Sequence, residues 1–537
     1  MKASTDAGST GVAVRATSAR KQTSGVVLVA VVVVIAMMSL SAYSFARWMR
    51  VEAQAAEMQL RTQQARLAAE SAVELTRALL IERRRGLRLP DWRDQPRLFR
   101  NIALFEQDED VHPRMRARFS VLAPADVDLG RVRLRFDRYG ISDENAKIEL
   151  NTWAVSNPVG LEQVLASQVR LPASVVRDLM DWINGGTSAG RFQPQRIAFG
   201  GSFVDRNRPN GGPLATLDEL LLVRGMTRAS LYGAEESEAE PPKDSPPQQG
   251  APLSQIGTVH ARSVETDRSG QPRIRLNSAD LVSLFRSLRS EFGEPFARWV
   301  IALRVFGPGS AASGGVLTGP SIRAELEGET STGPRLYPIR SMLDLLEHEV
   351  SGIWNGRALT IANPLFEHPS SLADAVARLF DRVTIHDDAV RAGTINVNTA
   401  SEAVLAILPG LGEQERAQIV AGRGEADPDQ GLAWLITDDV LSPDAFRAIE
   451  PYVIGRSDVL RVHAIASIGA RGPFVQVDAV VDGTQYPPEL LSYRAAPAPW
   501  DRWRHALTED DEPKTLPDLS RFPSDGIARS ALSGGDQ

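Results

Sequence analysis

The residues of this chain that could do chemistry fall into a few small groups. Pro409-Gly410-Leu411-Gly412 is a glycine turn between two apolar runs, and such a turn can offer backbone N–H groups to a phosphate. Glu425, Asp427 and Asp429 alternate in a short stretch, as do Asp108, Glu109 and Asp110. Runs of this kind suit a hard cation such as calcium, which takes several carboxylate and carbonyl oxygens, although neither run has the spacing of an EF-hand. Glu347-His348-Glu349 and His386-Asp387-Asp388 lack the His-Glu-x-x-His spacing of a zinc hydrolase, so they read as solvated charges. No lysine follows a glycine, which removes the phosphate-binding loop, and there is no cysteine, which removes thiolate nucleophiles, disulfides and Cys-ligated metals. A Ser-His-Asp triad has no required spacing, and no local signature suggests one. The expectation is a protein that is not an enzyme.

Charge tests the phosphate reading. The chain carries a net charge of −7, so no whole-protein field gathers phosphate. Between residues 393 and 430 two arginines, Arg416 and Arg423, stand against Glu402, Glu413, Glu415, Glu425, Asp427 and Asp429, without a lysine. Phosphate neutralisation dominates nucleic-acid binding, and this turn lies in an acidic setting. A membrane-anchored DNA receptor is therefore the alternative reading, and nucleic acid is not the expected partner. The preference for Arg over Lys reads as a compositional habit of the host.

These groups need elements to position them. At 537 residues the chain is long enough for several domains. Gly25 to Ala46, GVVLVAVVVVIAMMSLSAYSFA, holds no charge and spans roughly 33 Å as a helix, enough for a bilayer core. Arg15, Arg20 and Lys21 precede it, with no acid after Asp6, so the positive-inside rule places the N-terminus in the cytoplasm and the rest outside. A cleaved signal peptide has a shorter apolar region; a plain signal-anchor helix is the stronger competitor. From Arg47 to Arg85 there is no Gly or Pro, and Ala, Glu, Arg, Gln and Leu dominate, all good helix formers. Val51, Ala55, Met58, Ala65, Ala69, Ala72 and Leu79 approximate one helical stripe. One helix from Val26 to Arg85 is expected, roughly 90 Å long.

Beyond it, Arg131 to Asp137 alternates as a half-buried strand does. Val459 to Ile468 and Phe474 to Val481 flank Gly469-Ala470-Arg471-Gly472-Pro473 as a hairpin. Arg116 to Leu122 and Leu490 to Arg494 are weaker strands. Strands at both ends with helices between imply one sheet interrupted by an insertion. Lys147 to Thr152, Arg273 to Ser278 and Thr394 to Thr399 repeat one pattern: polar, Ile, polar, aliphatic, Asn, hydroxyl. The Asn and hydroxyl suit a helix N-cap. Two amphipathic runs follow each copy, over Leu161 to Asn184, Leu281 to Phe306 and Ala403 to Arg423. Pro213 to Leu221 also answers to Pro338 to Leu346, so three related units are expected. Residues 234–254 are acidic and Pro-rich and read as a disordered linker.

Ser24-Gly25 before a Val-rich segment and a long Ala-rich helix resembles the type IV pilins and type II secretion pseudopilins. DLMDWING, PNGGPLATLDELLLVRGM, INVNTASEAVLAILPGL and SDVLRVHAIASIG are similar, in their order, to stretches of the general secretion pathway protein K family. Ala30 stands where major pilins carry Glu, and that minor pseudopilin is the class that lacks it. The middle unit, 255–392, departs from the family's usual pair of helical lobes.

The resemblance implies that a prepilin peptidase cuts after Gly25 and that Val26 becomes the N-methylated mature N-terminus. It implies a bacterial inner-membrane, single-pass protein with a periplasmic head, at the pseudopilus tip when assembled. Other minor pseudopilins and the inner-membrane secretion platform are the implied partners. Calcium is implied too, with Glu425, Asp427 and Asp429 as the weak candidates for its ligands. The expected fold is α+β: a membrane-spanning pilin helix and an antiparallel pilin-like sheet, interrupted by a mostly helical insertion of three helix-hairpin-helix or SAM-like units. The expected divisions are a leader at 1–25, a membrane helix at 26–46 and its continuation at 47–86. The sheet begins at 90–145, the units are 146–233, 255–392 and 393–456, the sheet resumes at 457–495, and a flexible tail occupies 496–537.

Overall fold

From Val26 to Arg85 no glycine or proline stops a helix, and the computed structural model has one helix from Thr23 to Arg84. Residues 23–86, 92–104, 116–124, 138–184, 196–199, 202–205, 212–233, 250–308, 336–354, 357–367, 372–423, 431–469, 472–497 and 507 are described. The chain forms two units, Met1–Gln63 and Gln64–Gln537. In the first, the described residues are helix alone. In the second, the helix is the wall of a core: Ala65, Ala68, Ala69, Ala72, Val73, Leu79 and Leu80 are buried. Four alanines on one face let the helix lie close to a sheet, which a row of larger side chains would hold away.

That sheet is antiparallel and runs in the order Ile102–Ala103, Ala117–Leu122, Val459–Ile468, Phe474–Asp482, Glu489–Pro497. The expected hairpin and both weaker strands are present, the last of them longer than its pattern indicated. Ser142–Asp143 pairs beside Ala117–Leu122 on the same central strand, with Asp143 opposite Leu460. Side chains alternate across a strand. Leu460, Val462, Ala464 and Ala466 accordingly join Val477, Ala479 and Val481 in the core with the helix, while Ile465 packs with Leu122, Phe474 and Leu507. Leu507 is buried, so the proposed tail contributes to the core at this position; the rest of residues 498–537, and the strand expected at 131–137, lie outside the described residues.

The insertion leaves the sheet after Asp143 and returns to it at Val459. Each copy of the repeated pattern opens with a two-residue strand that a later two-residue strand joins in parallel. Ile148–Glu149 pairs with Gly257–Thr258, Ile274–Arg275 with Val383–Thr384, and Ile395–Asn396 with Val453–Ile454. Residues 250–258 therefore close the segment begun at 148: Ala251, Leu253 and Ile256 are buried, so the last residues of the expected linker belong to the core. Helices follow each opening strand, at Pro158–Ser167 and Ala173–Ile183, at Leu281–Phe292 and Glu294–Phe306, and at Glu402–Leu405 and Glu413–Gly422.

The repeated asparagines are not helix caps. Glu149, Asp280 and Ser401 hold the cap positions and accept the free N–H groups of the first turns. An amide presents a donor and an acceptor side by side, and these amides clasp distant parts of the chain instead. Asn151 donates to the Leu214 carbonyl at 3.1 Å and accepts from the Leu214 N–H at 2.8 Å. Asn277 treats Ile339 in the same way, at 3.0 and 2.9 Å. Asn398 donates to the Gly455 carbonyl at 2.8 Å and accepts from the Trp434 indole at 3.0 Å. With the cap at Ser401, Ser401→Ala is expected to cost about 1 kcal/mol. Urea unfolding of the detergent-solubilised full chain checks this; an unchanged midpoint would place the cap elsewhere.

Candidate functional site

The first candidate is the start of the helix. Val26, Leu28, Val33, Ile35, Met38 and Leu40 are each at least half exposed, and no charged residue occurs between Lys21 and Arg47. Apolar area left in water costs about 25 cal/mol per Å², so this surface requires lipid or protein around it. One N-terminal helix is thus long and apolar enough to cross a membrane once. The exposure continues past the first charges: Trp48, Met49, Val51, Met58 and Leu60 stand between Arg47, Arg50 and the Glu57–Arg61 pair, whose ions are 2.6 Å apart. Gly25 and Val26, the expected cleavage pair, lie in the first turn of this helix, with Val26 exposed.

The second candidate is a buried polar joint where insertion meets sheet. Glu144 has no exposed surface and accepts from Arg461 Nε at 2.6 Å, from Lys147 Nζ at 3.1 Å and from the Thr258 hydroxyl. Arg461 also donates to Asp478 at 2.6 Å, and His463 Nδ1 lies 3.6 Å from the same carboxylate. Burial alone would raise the Glu144 carboxyl, but Arg461, and after it Lys147, outweigh burial and hold it well below the usual carboxylate range. Asp478 follows the same balance, down to about 2. Burial pushes Lys147 down, and Glu144 offsets this only in part. Beside this cluster Asp143 accepts from Asn396 at 2.9 Å, Thr399 at 2.6 Å and the Asn145 N–H at 2.7 Å. Asn145 in turn donates to Thr394. Glu144, Asp478, Lys147 and Arg461, each partnered within the protein, form a fastening between sheet and insertion.

Sequence reasoning passed over this joint. Arg461, His463 and Asp478 fall on alternate positions of their strands, the ordinary pattern of a solvated sheet face, so no local signal marked them as buried partners. His386, read as a solvated charge, is only half-exposed, and burial together with Arg391 pushes it down to about 4.

Glu425, Asp427 and Asp429 lie outside the described residues, as do Asp108, Glu109 and Asp110. Among the described residues no group of three or more His, Cys, Asp or Glu side chains is placed to hold a metal ion. In the glycine turn, Gly410 takes the left-handed φ of 75° and Leu411 is buried. Arg416 donates to the Leu411 carbonyl at 3.1 Å. Leu405, Ile407 and Leu408 pack into the insertion core.

Helix, sheet and joint define a class: an α+β protein with one N-terminal membrane-length apolar helix and an antiparallel sheet interrupted by a mainly helical insertion. No known family and no curated protein matches the chain. Among solved structures it is similar to a chain of the GspK-GspI-GspJ complex from the enterotoxigenic Escherichia coli type 2 secretion system. That similarity covers 82% of this chain and 99% of the other, at 11% identity and a TM-score of 0.37, a level of likeness on which no argument rests.

Proposed function

We propose that this chain is a minor pseudopilin of a type II protein secretion system, of the general secretion pathway protein K class. It acts by assembly and not by catalysis, capping the tip of the periplasmic pseudopilus and helping folded proteins leave across the outer membrane. The observation that carries this reading is the Thr23–Arg84 helix. Its first part leaves apolar surface that no described residue covers, and its last part, from Ala65, is built into the head. That is the division of labour a filament subunit needs, with one stretch for the membrane and for neighbouring subunits and another to carry a domain.

Ala30 supports a tip position, because the carboxylate that major pilins carry at this place pairs with a neighbouring subunit's N-terminus. A head enlarged by the insertion would also clash if repeated along a thin filament. The three parallel closures and the Asn151, Asn277 and Asn398 clasps support reading the insertion as three copies of one unit. Other minor pseudopilins, the prepilin peptidase and the inner-membrane platform are the partners of this reading, with the N-terminus cytoplasmic and the head periplasmic. Calcium remains an expectation of the family resemblance.

N-terminal mass spectrometry of the membrane protein from its own host tests the proposal. The expected result is a mature chain that begins at N-methylated Val26. An intact Met1, or cleavage near Ala42, would overturn it.

A further inference from the structure

Where the helix ends, a small cavity lies between it, the hairpin around Thr266, and the turns at 456–458 and 483. Its volume is ≈ 10 Å³, about the space of one water-sized occupant. Arg83, Arg84 and Arg456 line it, with Asp458 as the one carboxylate. Asp458 is already engaged by Arg456, 3.5 Å away. Arg456 also donates to the Asp267 carbonyl at 2.7 Å, and Arg83 to the Ser457 carbonyl at 2.6 Å. Arg84 differs from both. Its guanidinium makes no ion pair or hydrogen bond among the described residues, its Nη1 is buried, and its Cζ lies 6.0 Å from the centre of the Tyr486 ring.

A buried guanidinium nitrogen without an acceptor is costly, and water in the cavity would supply an acceptor but no charge. Three guanidinium groups around one carboxylate favour an anion over a neutral occupant. We propose that the cavity binds a single halide-sized monovalent anion, held by Arg84 and Arg456, which pins the end of the helix to the head.

The test uses the detergent-solubilised full chain, with thermal unfolding followed in sodium chloride, sodium bromide and sodium gluconate at matched ionic strength. The expected result is a saturable rise of the midpoint in chloride and bromide that gluconate lacks. Arg84→Gln should raise the half-saturating halide concentration about tenfold or more, the scale of one charge-assisted hydrogen bond. Equal midpoints in all three salts, or an Arg84→Gln response like the wild type's, would overturn the proposal. Should that variant fail to fold, bromide anomalous scattering from wild-type crystals decides. A peak beside Arg84 and Arg456 supports the site, and a water with no anomalous signal overturns it.

Discussion

Glu144→Ala is expected to destabilise the head by about 3–5 kcal/mol, the usual consequence of removing one partner from a buried ion pair. Glu144 is fully buried, and its removal leaves Lys147 without its nearest acid and Arg461 with Asp478 alone. Folding holds this carboxyl below its ordinary 4.5, so the unfolded chain binds the proton more tightly. The stability it contributes is present above pH 4.5 and is lost as pH falls below that value. The urea midpoint of Glu144→Ala should therefore lie far below wild type at pH 7, and the gap should narrow in acid. Glu144→Gln, which keeps the shape and loses the charge, should fall between the two. Asp478→Asn, at a side chain that is about a third exposed, should cost less than either Glu144 change. A small, pH-independent loss for Glu144→Ala would mean that the joint does not fasten insertion to sheet.

Glu450→Gln should act in the opposite direction. Glu450 is buried and accepts from the Ser341 hydroxyl at 2.5 Å and the Met342 N–H at 2.8 Å. Burial pushes its carboxyl up to about 7; those hydrogen bonds oppose the shift and nearby Asp344 adds to it. Arg447 and Arg391 are the cations facing it, and neither compensates fully. The folded state here holds the proton more tightly than the unfolded chain. The group's contribution is fully present below pH 4.5 and is lost as pH rises through about 7. At 1.36 kcal/mol per pH unit the loss above neutrality is at most about 3 kcal/mol. A glutamine can accept from Met342 and donate to Ser341 without a charge. The variant should match wild type at pH 5 and exceed its urea midpoint at pH 8. A midpoint lowered equally at both would show that the ionised carboxylate is the form the fold needs.

The elements that could be read in the sequence are those whose signals are local. The Val459–Ile468 and Phe474–Asp482 hairpin follows from alternation and a Gly-Pro turn, and the long helix from a run without breakers. Leu405, Ile407, Leu408 and Leu411 are core residues because a helical stripe must face something. The joint was not legible because its partners are 317 residues apart for Arg461 and Glu144, and 249 for Asn145 and Thr394; spacing along the chain carries no trace of such contacts. The asparagines show the same limit. Their type suggested a cap, and only the return of Leu214, Ile339 and Trp434 to them reveals the other use of the amide.

The place where the insertion departs has a consequence for how such a chain can change. Asp143, the last residue before it, lies opposite Leu460, the second residue of the strand that follows it. Its two ends are therefore neighbours in the sheet, and lengthening what lies between them asks little of the sheet itself. Closing a flexible loop twice as long costs only about 0.6 kcal/mol more, and a segment that folds on its own terms costs less again. A whole unit could be gained or lost by gene duplication or deletion while the helix and strands stay as they are. The head is in this sense an expandable cargo on a fixed stem, and its size can evolve independently of the machinery that inserts the stem into a membrane.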